Sequence, residues 1–372
     1  MQLLDLVPNY LPADADNRLL VSLQDIADNI QIQPNFCISH PAFKPLQLSP
    51  SGVQRFQHLS VELQHKYLSL QLRSFLYGIY YNGYLQDVLA LETETADKFV
   101  PPNLENNTFL GIDMIFYDRL HQSNCGQGYF DPGWQVLRQE SDGSLAVTKG
   151  ELTVHIDRVR HLKLVEQSAC VGDLVSILMP RNLVQIGFYV AISDTGAESR
   201  GNSYSRPTIV RIYFHFSSEG AVAVMANLTQ QLNKIKIPFS FKVLYNPTDY
   251  KRYDSGVLYF ERSHYPVLRE VLQKVYAENQ AHFQPQIPLF TKQLAPGLAL
   301  AEEPNRKFTA QESFGMNRCQ IVADALLEVW HKGDNSSESR MNNIFKHFSV
   351  LGIDWQRPYL NANSEDIYKP LN

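Results

Sequence analysis

Apolar residues recur at helical spacing through the first hundred positions and mostly at strand spacing for the next hundred. From Asn17 to Ile32 they fall three and four apart, as one buried helix face requires. A turn-rich stretch with Pro34, Pro41, Pro45 and Pro50 follows. The helical spacing then returns near Ser51, with Phe56, Leu59, Leu63, Tyr67 and Leu70 on one stripe of a longer helix. It runs into Phe75-Leu-Tyr-Gly-Ile-Tyr-Tyr-Asn-Gly83. That run reads as a buried aromatic seam or as the wall of a peptide groove, where a leader peptide would dock. Near residue 105 the pattern changes to strands. Trp134–Arg138 and Leu145–Lys149 flank Ser141-Asp-Gly-Ser144 and predict a hairpin, with Leu152–Ile156 as a third strand. Asp173–Met179 and Gln185–Ser193 read as two more strands joined at Pro180-Arg-Asn182. The polar segment Asp194–Arg206 reads as a surface loop or a mobile lid.

In the carboxy half, Ile209–Phe216 alternates, with Val210, Ile212, Phe214 and Phe216 on one face. A helix is predicted from about Glu219, then strands at Phe239–Tyr245 and Gly256–Glu261 around the turn Asn246–Arg252. Pro266 suits the first turn of a further helix. A proline-bearing loop leads to a helix near Ser313–His331, and Lys332–Ser339 reads as a solvated loop. This order predicts an α+β fold: a helical part over 1–105 packed on a mixed or antiparallel sheet with flanking helices over 106–372. With no linker of disordered composition between them, the two parts are expected to form one continuous unit.

Composition narrows the function. Among 372 residues, 44% are hydrophobic and 19% charged, with a net charge of −5. Intrinsic disorder is thereby excluded, and no basic stripe points to nucleic acid. No run of 18 apolar residues predicts a membrane span. The start of the chain lacks a secretory pattern, and the four widely spaced cysteines make no zinc or disulfide framework. A cytoplasmic location with reduced, mostly buried thiols is the expectation; Cys125 alone sits in a polar turn. Phosphate-loop, H-E-x-x-H, G-x-S-x-G and kinase motifs are missing, and Gly126-Gln-Gly128 lacks a third glycine. No nucleotide, metal or other cofactor is expected.

What remains is a set of cations near one strand. Opposite the apolar row lie Arg211, Tyr213 and His215, which point the same way. They suit either an anion-binding face or an ordinary exposed polar face. Lys242 interrupts the apolar run Phe239-Ser-Phe-Lys-Val-Leu-Tyr245, and semi-apolar surroundings loosen a lysine's proton. Strand parity leaves open whether it faces Arg211. Lys251 in a polar turn and Lys292 in a proline-rich loop are the weaker candidates. Arg252 stands two residues before Asp254, and Arg318 lies near a helix start. A salt bridge would explain either arginine alone; together with Arg211 and Lys242 they suit phosphate.

The succession Tyr250-Lys-Arg-Tyr-Asp-Ser-Gly-Val-Leu-Tyr-Phe260, Pro288-Leu-Phe-Thr-Lys-Gln-Leu-Ala-Pro-Gly297, Ala301-Glu-Glu-Pro304 and Ser313-Phe-Gly-Met-Asn-Arg318 resembles the carboxy half of the Hop-A type III effector family. Asn124–Trp134 and Gly187-Phe-Tyr-Val-Ala-Ile192 resemble its central part, so the likeness spans roughly residues 75–330. The family includes plant-pathogen effectors and stand-alone lyases of lanthipeptide and thioamitide pathways. The resemblance implies elimination of phosphate from phosphoserine or phosphothreonine in a ribosomal precursor peptide. Dehydroalanine or dehydrobutyrine would result, with a separate kinase and a cyclase as partners; the alternative is a non-catalytic interaction module. By analogy with effector phosphothreonine lyases, Lys242 is assigned as base and His215 as acid, with Tyr213 its substitute or orienting neighbour. Arg211, Arg252 and Arg318 are assigned to the phosphate.

Overall fold

The computed structural model describes residues 15–91, 108–109, 111–196 and 207–371. Its centre is a seven-stranded sheet in which every neighbouring pair is antiparallel. From edge to edge the strands are Asn182–Gln185, Phe188–Ile192, Ser240–Leu244, Gly256–Glu261, Ile209–Phe214, Leu298–Glu302 and Lys292–Ala295. The class is α+β, as the alternation of periods predicts.

One face of this sheet is dry. Ile212, Phe214, Phe241 and Leu258 are fully buried, and the Phe214 ring meets Phe241 at 5.3 Å and Phe283 at 6.3 Å. Each such side chain contributes about 1.5–3 kcal/mol on burial. Helices Ser218–Lys234 and Tyr265–Asn279 pack on one another and add Val224, Leu228, Leu268 and Leu272 to the same core. The first begins where the Ser217 side chain accepts from the Gly220 amide; the second has Pro266 in its first turn.

The opposite face carries the polar row. The helix Val61–Leu76 continues into a π-helical turn, Tyr77–Tyr81, and the helix Phe314–His331 lies beside it. Tyr81 and Phe314 approach the Tyr213 ring at 6.3 and 6.4 Å. Gly315 permits that approach, because a Cβ there would stand 2.4 Å from the Tyr81 ring. Most of the aromatic run is therefore the buried seam, with Phe75, Ile79 and Tyr81 enclosed and Tyr84 exposed.

Several elements differ from the sequence expectation. The stripe from Ser51 to Leu70 is two helices, Pro50–Gln57 and Val61–Leu76, because Ser60 accepts from the Leu63 amide and starts a new one. The proline-rich stretch holds a small sheet of Gln31–Gln33, Cys37–His40 and Phe43–Leu46. A helix, Met114–Ser123, capped by Asp113, stands where strands were expected. Gln185–Ser193 is the second half of a hairpin whose first strand is Asn182–Gln185. The predicted hairpin near residue 140 belongs to a separate four-stranded sheet with its own core around Trp134, Leu145, Val147 and Ile177. The segment read as a loop up to Ser339 ends in the helix Ser337–Val350, capped by Ser336. Cys37 and Cys319 are buried, but Cys125 and Cys170 are exposed, and all four are free thiols. The boundary expected near residue 105, the first fourteen residues and 197–206 of the polar loop lie outside the described residues.

Candidate functional site

Register fixes where Lys242 points. Tyr213 stands opposite Val257, Val257 opposite Lys242, and Lys242 opposite Val190. Directly paired residues share a face, so Lys242 lies on the face of Arg211 and Tyr213. Its half-buried ammonium rests between two rings, 4.5 Å from the centre of Phe188 and 5.4 Å from that of Tyr259. Such cation–π contacts each supply about 1 kcal/mol. Among the described residues it has no carboxylate or carbonyl partner. Lys251 and Lys292 do, pairing with Asp87 at 2.8 Å and Asp366 at 2.6 Å.

Arg252 flanks the same Phe188 ring at 5.8 Å and grips Asp254 at two points, 2.7 and 2.9 Å. Asp254 is buried and also accepts from the Tyr77 hydroxyl at 3.3 Å. Burial opposes its charge, but Arg252, Lys242 and Tyr77 outweigh burial and hold the carboxyl below the ordinary aspartate value. Burial likewise opposes the charge of Arg252, and Asp254 overcomes it, so the guanidinium pKa is raised.

Arg211 is directed elsewhere. Its Nε and Nη2 both bind Glu303, which also binds Lys307, and its guanidinium lies 5.0 Å over Tyr259. Tyr259 thus has Arg211 and Lys242 against one ring. The Tyr213 hydroxyl is buried beside Tyr81, and burial raises its pKa against the pull of Arg211 and Tyr81. It keeps its proton.

His215 is buried against Tyr253 at 5.2 Å, and its Nδ1 donates to the Gln286 carbonyl at 3.0 Å. Burial lowers its pKa, outweighing the Gln286 carbonyl and Asp254. A neutral ring with its proton on Nδ1 leaves Nε2 bare, and that atom is buried and unpartnered. His215 is therefore placed as a proton acceptor; the protonated hydroxyl of Tyr213 is the donor-type group of the pair.

Arg318 does not join the cations around Phe188. It is 1% exposed, and its nitrogens hold the Pro358 carbonyl, the Leu360 carbonyl at 3.0 Å and the Asn317 side chain. Burial brings its pKa down to about 10. It tethers the chain after residue 350 and lines a cavity of about 160 Å³ with Arg306, Phe308 and Leu351. The structure thus brings together Lys242, Arg252 and Asp254, with Tyr213 and Arg211 along the same face. Sequence reasoning missed Phe188, Tyr259, Tyr77 and Glu303. Alternation marks Tyr259 as a face residue, whereas Glu303 is 92 residues from Arg211 and leaves no local signal.

Among the described residues no group of three His, Cys, Asp or Glu side chains is placed to hold a metal. No described helix is long and apolar enough to cross a membrane.

Residues 179–360 match the HopA1 effector protein family. The chain is also similar to two solved effector proteins of Pseudomonas syringae, each 17% identical. The one from pathovar syringae strain 61 aligns with a TM-score of 0.40, over 67% of this chain and 81% of that one. The one from pathovar tomato strain DC3000 aligns with a TM-score of 0.41 over the same shares. No curated protein matches the chain. The match to the HopA1 effector protein family over residues 179–360 takes in all seven strands of the central sheet.

Proposed function

We propose that the chain is a phosphopeptide lyase, eliminating phosphate from phosphoserine or phosphothreonine of a ribosomally made precursor peptide to leave dehydroalanine or dehydrobutyrine. The observation that carries this reading is the Lys242 ammonium, held between Phe188 and Tyr259 without a carboxylate partner among the described residues. Elimination needs a base for the Cα proton and positive charge on the departing phosphate. In this reading Lys242, in its neutral form, takes the Cα proton. The electron pair forms the Cα–Cβ double bond, and the Cβ–O bond breaks to release phosphate. Arg252, on the other side of Phe188, meets the phosphate by exchanging part of its grip on Asp254. Tyr213 carries the proton for the leaving oxygen, and Arg211 with Glu303 braces Tyr259. A separate kinase would supply the phosphorylated peptide, and a cyclase would consume the dehydroamino acid.

One observation favours a second reading, a non-catalytic interaction module. Arg211, Arg252 and Arg318 each already hold an acceptor within the protein. Incubating the purified chain with a phosphoserine peptide separates the two. Loss of phosphoric acid by mass spectrometry supports the lyase; binding without loss supports the module.

A further inference from the structure

The two edges of the central sheet are treated differently. At the Lys292–Ala295 edge the Leu371 amide donates to the Leu294 carbonyl at 2.9 Å, so the chain's own tail lies against it, and Lys292 adds a charge. At the other edge, Asn182–Gln185 pairs with Phe188–Ile192 alone among the described strands. Its sequence, Asn-Leu-Val-Gln, has neither charge nor proline, the usual protections of a free edge. Leu183 and Val184 are about half exposed, and Ile186 at the tip is 95% exposed.

Hairpin geometry says which groups of this edge face outward. Ile186 and Gly187 form a two-residue turn, with Gly187 at φ +86°, and Gln185 pairs with Phe188. The pair that closes such a turn exchanges hydrogen bonds, and bonded pairs then alternate along the ladder. Arg181 accepts from the Ile192 amide at 2.9 Å, in step with that alternation. Val184, opposite Tyr189, is thus an outward-facing residue, and among the described residues its N–H and C=O have no backbone partner.

The same edge is continuous with the candidate site. Leu183 pairs with Val190, and Val190 with Lys242, so the three side chains lie in one row on one face. At roughly 4.8 Å per strand, Leu183 is about 10 Å from Lys242 and an added strand about 14 Å. About four extended residues cover that distance.

We propose that the Asn182–Gln185 edge captures the substrate peptide as an added strand, pairing with the Val184 backbone. An apolar, β-branched segment of the peptide docks there, and the phosphorylated residue, about four positions away, crosses over Phe188 to Lys242. This rests on the lyase reading for what the peptide carries, but pairing at the edge is measured without turnover.

The test uses a fluorescein-labelled peptide, Thr-Val-Thr-Ile-Thr-Gly-Gly-Ser-phosphoSer-Gly, and the Lys242→Ala chain, so that binding is read without elimination. Fluorescence anisotropy should show roughly tenfold weaker binding in the additional Val184→Pro variant, which loses the outward N–H, and near-unchanged binding in Val184→Ala. The same peptide N-methylated at alternate residues should also fail, which tests pairing without altering the protein. Hydrogen exchange should slow at the Val184 amide when the unmethylated peptide is added. Equal binding of the methylated peptide, or equal binding by Val184→Pro, overturns the proposal. So does protection of Val184 that grows with protein concentration alone, since a second copy then covers the edge. Edge pairing without elimination by the unsubstituted chain would refute the lyase reading and leave the docking intact. Elimination with no edge pairing would do the reverse.

Discussion

Replacing Arg252 by Gln tests whether the Arg252–Asp254 pair holds the site together. The variant keeps a donor but removes the charge beside a carboxylate whose side chain is 8% exposed. Breaking a buried pair by removing one partner costs about 3–5 kcal/mol. Asp254 retains the Tyr77 hydroxyl and the field of Lys242, which places the expected loss near the lower figure. About 3 kcal/mol corresponds to a fall in Tm of roughly 4 °C for a chain of this size. The pH dependence carries the sharper information. With Arg252 present, the Asp254 pKa lies below 3.8, and the stability it confers is lost only as pH falls through that lowered value. Without Arg252, burial, the largest influence on this carboxyl, is expected to prevail over Lys242 and Tyr77 and raise it above its ordinary value. The variant then takes up a proton more readily folded than unfolded, and its deficit should shrink between pH 7 and about pH 4.5. Urea unfolding followed by tryptophan fluorescence at both pH values reads this directly. A loss under about 1 kcal/mol, or the same loss at both pH values, would refute the reasoning.

Three further expectations concern the groups around this pair. Gly315→Ala drives a methyl into the Tyr81 ring and should cost about 1–3 kcal/mol, measured by thermal unfolding; a neutral result would mean the π-helical turn yields freely. His215, with its pKa below 6.5, makes the folded chain lose stability as pH falls below about 6.5, until the folded imidazole itself takes a proton. His215→Asn should remove that part of the acid slope, and an unchanged slope would count against a buried neutral imidazole. Arg318→Met leaves the Pro358 and Leu360 carbonyls without a donor and should lower stability by about 3 kcal/mol while sparing phosphopeptide binding. A selective loss of binding, seen by calorimetry, would return Arg318 to the phosphate.

Much of the fold is legible where local period and caps agree. Gly256–Glu261 matches the alternation, and Phe314–His331 begins where Ser313 accepts from the Met316 amide. Elements of four residues are not legible in this way. Asn182–Gln185 offers too few positions to establish a period, and its turn is hidden inside what reads as one strand. The helix Ser337–Val350 was obscured because serine and acidic residues serve loops and caps alike; Asp334 and Ser336 are both engaged in its start. In the site, alternation places Arg211 and Tyr213 on one face, but the face of Lys242 depends on register across three strands, a tertiary property. Local reading also sets Arg252 beside Asp254 but gives Arg211 and Arg318 without their partners. Glu303, Asp254 with Tyr77, and the carbonyls at Pro358 and Leu360 decide which cations are engaged, and most are distant in sequence.

The central claim, that Lys242 is the base of an elimination, is tested most directly by single-turnover mass spectrometry. Unsubstituted and Lys242→Ala chains are each incubated in excess over a phosphoserine peptide, with peptide binding measured in parallel. The account predicts loss of phosphoric acid with the unsubstituted chain and none with Lys242→Ala, while both bind the peptide to within a few-fold. Near-normal conversion by Lys242→Ala would contradict it.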